Sequence, residues 1–213
     1  MNRPKTKLLL TLSLLALAGA ASAQQSGYYG GISLGQAKFK ADAGGIENGL
    51  AASAGIGGFS GAIDNRDTGY KLRLGYRLND SIAFEGGYVN FGKANYSGAY
   101  SLPGAGSATG KMEAAGVNFD VLGRLPLNRD FSVFGKAGVL LARVKTSAIS
   151  ADGSASLGTT ATKLSPGLGG GIDYALSKTV GVRAEWERYL KVGNDSTGKG
   201  DVDLLSVGLN YRF

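Results

Sequence analysis

The sequence predicts an all-β protein: an eight-stranded antiparallel up-and-down barrel that crosses a membrane, with short periplasmic turns and long extracellular loops. Three observations predict it. Glycine is abundant (36 residues) and proline scarce (4), which disfavours a helical bundle because a glycine inside a helix costs about 1 kcal/mol. Hydrophobic residues make up 43% of the chain, yet they are interleaved with polar ones at the two-residue period of strands. The connections between these segments run long, short, long, short, the asymmetry of outer-membrane barrels.

Residues 1–23 stand apart from the rest. Arg3, Lys5 and Lys7 precede an apolar run from Leu8 to Leu17, and Ala21-Ser22-Ala23 follows. This is the pattern of a secretory signal peptide cleaved after Ala23; the run is too short to span a bilayer, which takes about 20 residues. The expectation is therefore a signal peptide over 1–23 and one barrel domain over 24–213. The net charge of +7 includes three positives from residues 1–23, which leaves +4. That mild excess, spread along alternate strand positions, gives no basis for a nucleic-acid partner. There is no cysteine, hence no disulfide or thiolate metal site, and no histidine.

The strands follow in order. Gly27–Phe39 sets Ile32 and Leu34 against Ser33 and Gly35. Thr68–Leu78 sets Tyr70, Leu72, Leu74, Tyr76 and Leu78 against Lys71, Arg73, Gly75 and Arg77, and Asn79-Asp80 turns the chain. Ser81–Phe91 sets Ile82, Phe84 and Tyr88 against Glu85. Ala115–Leu125 sets Val117, Phe119, Val121 and Leu125 against Asn118, Asp120, Leu122 and Arg124. After a turn at Pro126–Asp130, Phe131–Val144 sets Val133, Ala137, Val139 and Leu141 against Phe134, Lys136 and Gly138. Leu164–Tyr174 carries Ile172 and Tyr174 about Asp173, with a turn at Ala175–Lys178. Thr179–Tyr189 sets Val180, Val182, Ala184 and Trp186 against Arg183, Glu185 and Glu187. The last strand alternates strictly from Leu205 to Phe213. Each has the ~9–11 residues that cross a bilayer when tilted. Lys40–Arg66, Asn95–Lys111, Lys145–Thr162 and Leu190–Val202 read as Gly/Ser-rich loops.

A soluble sandwich or lipocalin-like barrel would also alternate. The faces decide between them: large apolar residues occupy one face of every strand, and the other mixes glycines with charges of both signs. In a narrow barrel, glycines leave room inside and long charged side chains pair. Tyr28, Tyr29, Tyr70, Tyr76, Tyr88, Tyr174, Trp186, Tyr211 and Phe213 fall towards strand ends, where an interfacial aromatic girdle belongs.

Several motifs carry a resemblance: Phe84-Glu85-Gly86-Gly87-Tyr88, Gly170-Gly171-Ile172-Asp173-Tyr174-Ala175, Arg183-Ala184-Glu185-Trp186 and the terminal segment Leu205–Phe213. In order and spacing, Gly69–Gly92, Gly116–Val144 and Gly169–Phe213 resemble the eight-stranded transmembrane domain of the OmpA family of Gram-negative outer-membrane proteins. The resemblance implies a lumen plugged by an ionic network. Glu85 and Glu185 match its inward carboxylates, and Lys199 matches a basic partner by its spacing from the C-terminus. Arg124 stands two residues beyond Leu122, which occupies a family lysine position; Ser33 occupies another. The expected network is Lys71, Arg73, Glu85, Asp120, Arg124, Lys136, Arg183, Glu185 and Lys199. The family also implies that Tyr211 and Phe213 serve as an assembly signal. The expected partners are outer-membrane lipid and lipopolysaccharide, the barrel-assembly machinery and periplasmic chaperones, with a monomeric barrel and no cofactor. The family's periplasmic peptidoglycan-binding domain has no counterpart up to Phe213, so no cell-wall tether is expected.

Catalysis is not expected. Without histidine a Ser-His-Asp site is ruled out, and Glu85 with Glu185, set among arginines in a narrow lumen, reads as structural rather than as a glycosidase pair. Gly167, Gly169, Gly170 and Gly171 lack the final glycine and the helix of a dinucleotide fingerprint. Asp201 and Asp203 read as solvated carboxylates rather than a cation site. The sequence thus points to a structural envelope protein, with a small diffusion channel or a loop-borne adhesin as alternatives.

Overall fold

A computed structural model describes residues 27–40, 44–102, 104–153, 156–195 and 197–213; the expected cleavage site at Ala21 and Ala23 lies outside them. Nine strands and one helix follow in order: β1 Tyr28–Lys40, α1 Gly44–Ala54, β2 Ser60–Asp64, β3 Arg66–Arg77, β4 Ile82–Tyr100, β5 Gly106–Pro126, β6 Phe131–Ser150, β7 Ser156–Ala175, β8 Val180–Val192 and β9 Gly200–Arg212. Eight of these close a barrel. β1 pairs antiparallel with β3 on one side and with β9 on the other, from Tyr29↔Arg212 to Lys40↔Asp201, so no sheet edge remains at this level. Closure satisfies the backbone, the condition for crossing hydrocarbon. β2 is a short addition that pairs with the upper half of β4.

The short turns share one design. Asn79 Oδ1 accepts from the Ser81 and Ile82 amides, Asn128 Oδ1 from those of Asp130 and Phe131, and Ser177 Oγ from those of Thr179 and Val180. Each side chain caps amides that the tight reversal leaves free. The other end departs from the expected loops. β4 to β7 run 19–21 residues, so most of Asn95–Lys111 and Lys145–Thr162 is strand, with connections only at 101–105 and 151–155. The reason is local: the hairpins rise above the apolar band, where small outward residues such as Ser97, Ala99 and Thr109 meet water and erase the polar–apolar contrast. Lys40–Arg66 likewise folds, into α1 and β2.

Two β-bulges shape the rim of the apolar band. One lies between Asn90 and Lys93, where Gly92 takes φ +73° and donates its amide to Asn90 Oδ1. The other lies between Tyr189 and Val192, where Lys191 takes φ 53°. Below them the outer surface is apolar: Leu74 is 69% exposed and Leu205 62%, as a lipid-facing wall requires. Tyr28 lies 4.7 Å from Tyr76, the rings tilted by 54°, and Tyr211 lies 5.4 Å from Phe213 at the lower border, with Tyr70 6.1 Å from Tyr88 at the upper. Tyr29 is a correction to the girdle. It points inward, buried, because inward-facing Gly75 opposite leaves the space its ring fills: a Cβ there would lie 2.3 Å from that ring.

Candidate functional site: the barrel lumen

Inward-facing positions bring together five cations and five carboxylates, all buried: Lys71, Arg73, Arg124, Lys136 and Arg183 with Glu85, Asp120, Asp173, Glu185 and Glu187. Strand pairing sets them. Arg183 of β8 lies opposite Asp173 of β7, and Glu85 of β4 lies opposite Asp120 of β5. Like charges directly across a sheet repel, so cations from other strands must offset them: Arg183 of β8 for Glu85 and Lys136 of β6 for Asp120.

Two linked clusters result. Towards the short-turn end, Arg183 grips Asp173 through Nε–Oδ1 at 2.7 Å and Nη2–Oδ2 at 3.0 Å, and its Nη1 reaches Glu85. The Tyr29 hydroxyl donates to Glu85 Oε1 at 2.6 Å, and the guanidinium lies 4.4 Å from the Phe134 ring centroid. Arg124 lies 3.4 Å from Asp173 and donates to Ser132. Higher up, Glu185 meets Arg73 at 3.1 Å and Lys136 at 2.8 Å, while Lys71 meets Glu187 at 2.6 Å. Lys136 also contacts Glu187 and lies 4.0 Å from Asp120. Asn210 joins the two: its Oδ1 accepts from Arg73 at 2.7 Å and its Nδ2 donates to Asp173 at 3.2 Å.

Lys199 is a correction. It is exposed, just before β9 begins, and takes no part in this network; a spacing counted from the C-terminus fails once the strand has ended. Arg124 is inside but binds Asp173 rather than Glu85 or Glu185. Leu122 joins Tyr29, Ala83 and Phe134 in an apolar cluster. Asp173 and Glu187 share the inward parity already read from the sequence, but nothing there singled them out as partners. The contributions of Tyr29, Asn210, Tyr189 and Ser33, whose Oγ accepts from Arg73 Nη1 at 2.7 Å, carried no signal that alternation alone provides.

The ionic layer is only part of the filling. Above it lies an apolar plug that includes Phe39, Val89, Phe91, Met112, Leu140, Val144, Tyr189 and Leu204. Phe91 and Tyr189 meet edge-to-face at 5.3 Å, and the Tyr189 hydroxyl donates to Glu187 at 2.7 Å, which joins plug to network. The cavity among Phe39, Met112, Val144 and Val192 is about 10 Å³, the volume of a single water probe. Above the plug, α1 inserts Ile46 and Leu50 against Tyr96, Tyr100, Ala108 and Ala148 of the hairpins. The Tyr96 hydroxyl bonds Glu47 at 3.1 Å; burial, then that carboxylate, push its pKa up to about 12. At the rim, Arg188 holds Asp203 by two bonds of 2.6 and 2.9 Å, with Lys40 at 3.1 Å. These bonds keep the Asp203 carboxyl below its ordinary range.

Comparison with known proteins agrees with this architecture. Outer membrane protein A of Salmonella typhi is 28% identical over 213 residues, which cover 98% of this chain and 55% of that protein. That of Serratia marcescens is 29% identical over 220 residues, covering 98% and 56%. The chain therefore spans about half the length of the curated relatives it matches. Among solved structures, Neisserial surface protein A superposes with a TM-score of 0.52 at 17% identity, covering 88% of this chain and 98% of that one, a likeness of fold. Residues 23–213 match the OmpA-like transmembrane domain, and the chain belongs to that family of outer-membrane β-barrels.

Proposed function

We propose that this protein is a non-enzymatic structural barrel of the outer membrane, held shut by its own side chains and carrying a tall hairpin wall on the cell surface. The observation that carries this reading is the filled lumen, in which ten buried charges sit below a continuous apolar plug. Each buried carboxylate is engaged by a cation, which leaves none placed as a free acid or base. Its partners in this reading are membrane lipid and lipopolysaccharide along the apolar band, and the assembly machinery and its chaperones during biogenesis. Tyr211 and Phe213, both half-exposed on the outer face, offer that machinery an aromatic end. The barrel works alone, as a monomer. Cell fractionation with surface proteolysis tests the reading: a membrane-bound species that keeps a compact form in SDS until boiled, cut at 101–105 or 151–155 from outside. A soluble periplasmic product would overturn it.

One observation favours a second reading, surface binding. β7 residues Ser156–Leu164 pair with β6 and, among the described residues, with no other strand. A free edge is a template for an added strand. Thr160→Lys with Thr162→Lys would block it by charge, and cell adherence unchanged by that pair of substitutions would remove this reading.

A further inference from the structure

We propose that the groove on the outer face across β3 to β6, at the top of the apolar band, binds the phosphates of a diphosphorylated glycolipid of the outer leaflet. The inference rests on the orientation adopted above, with the long hairpins outside. The groove, about 490 Å³, opens where the bulge at Asn90 and Lys93 bends β4 away from a regular ladder. Lys93, Arg143 and Lys145 line it. All three are exposed, and among the described residues none forms an ion pair.

The two acids beside them are engaged elsewhere. Glu113 pairs with Lys111 at 3.2 Å, and the Asp67 carboxylate accepts the Lys93 and Thr68 amides at 2.8 Å. Cations therefore outnumber acids here, and exposed Lys38 and Arg66 continue the excess around the same rim. At the opposite end, exposed Asp80 and Asp130 match exposed Arg129 and Lys178 in number, while half-buried Arg77 and Arg212 lie with Tyr29 and Asp173 at the lumen mouth.

Position selects a lipid over a soluble anion. Tyr88 lines the groove, and Val117 and Leu141 stand immediately below it, all three 37–54% exposed, so the occupant meets cations at its head and hydrocarbon-facing side chains below. Arginine's planar fork matches phosphate oxygens. Two cationic levels select a head with two phosphates. Arg143 lies at the level of Ala115, and Lys145 with Lys93 at the level of Glu113; two residues along a strand is roughly 6.5 Å.

The test uses the refolded barrel in neutral phosphatidylcholine nanodiscs doped with diphosphoryl lipid A, dephosphorylated lipid A or phosphatidylglycerol, with bound lipid read by native mass spectrometry. The expected result is retention of diphosphoryl lipid A that falls roughly tenfold to hundredfold in the Lys93→Gln/Arg143→Gln/Lys145→Gln variant, at ~1 kcal/mol or less per interfacial cation. Arg129→Gln/Lys178→Gln at the other rim should leave retention unchanged. Equal retention of dephosphorylated lipid or of phosphatidylglycerol, displacement by millimolar inorganic phosphate, or an unaffected triple variant would each overturn the site. Heat-modifiable migration checks that the variant folds, and Arg143→Gln alone serves if it does not. Surface proteolysis separates the two failures: a barrel with its hairpins outside but no lipid preference refutes the site alone.

Discussion

The lumen carries two seals, and their relative strength is open to measurement. Phe91→Ala attacks the upper one. Phe91 has no exposed surface and its ring meets Tyr189 at 5.3 Å, so the substitution removes a buried phenyl group from a packed interior at a cost of about 3–5 kcal/mol. The edge-to-face contact accounts for roughly 0.5–1.5 kcal/mol of that. If the plug must disperse before ions pass, the same energy raises the open fraction by roughly 150- to 5,000-fold, since each 1.4 kcal/mol is a factor of ten. Glu185→Gln attacks the lower seal. It removes the carboxylate shared by Arg73 and Lys136 but leaves the plug intact. In planar bilayers the wild type and Glu185→Gln should both be silent, Phe91→Ala should flicker, and the double variant should conduct steadily. Steady current from Glu185→Gln alone, matching that of the double variant, would refute the reasoning, because ionic pairs would then be the whole barrier.

Other outcomes follow from the same geometry. Val207→Arg, near the middle of the lipid-facing wall, should cost about 2–4 kcal/mol in urea titrations from vesicles; a change under about 0.5 kcal/mol would show that this face does not meet lipid. Arg183→Met takes from Glu85 its ion-pair partner and leaves Asp173 only the longer ion pair to Arg124, and should cost about 3–5 kcal/mol, whereas Lys199→Met should change the urea midpoint negligibly. Tyr96 latches α1 through Glu47, and its pKa is raised, so the stabilisation is complete below the unfolded value of about 10 and fades as the pH climbs through about 12. A fluorophore on Asn48→Cys should report release of α1 in that window, and Tyr96→Phe should abolish the alkaline step; an identical step without the hydroxyl would refute the latch.

The part of the barrel that touches lipid was legible because its two faces meet different solvents. Leu205, Val207, Leu209, Tyr211 and Phe213 could be assigned outward, and Ser206, Gly208 and Asn210 inward, once the alternation was joined to the charges and glycines gathered on one face of the other strands. The same parity placed Lys71, Arg73, Glu85, Lys136, Arg183 and Glu185 inside, yet it could not say which pairs form, since most of them join strands that are not neighbours, such as Lys71 with Glu187 and Arg183 with Glu85. The upper lumen was hidden because both faces are apolar there: in Val139-Leu140-Leu141-Ala142, Leu140 and Ala142 fill the plug while their neighbours face lipid. The tall hairpins were hidden for the opposite reason, both faces being small or polar. α1 contradicts its own propensity, with three glycines in eleven residues; Ile46 and Leu50 at i and i+4 hold it against the mouth. The turns did leave a trace. Leu78-Asn79, Leu127-Asn128 and Leu176-Ser177 recur at equal spacing, and each second residue supplies the capping oxygen.

The unequal strands give the surface a slope. β4 to β7 run 19–21 residues, but β1, β3, β8 and β9 only 12–13. At ~3.3 Å per residue and a tilt near 40°, the tall side stands roughly 18–20 Å above the low one. An epitope grafted at 151–155 would thus ride well above the upper rim of the apolar band, whereas one at 193–199 would sit close to that rim. A single barrel therefore offers two depths of presentation, fixed by strand length and independent of the inserted sequence.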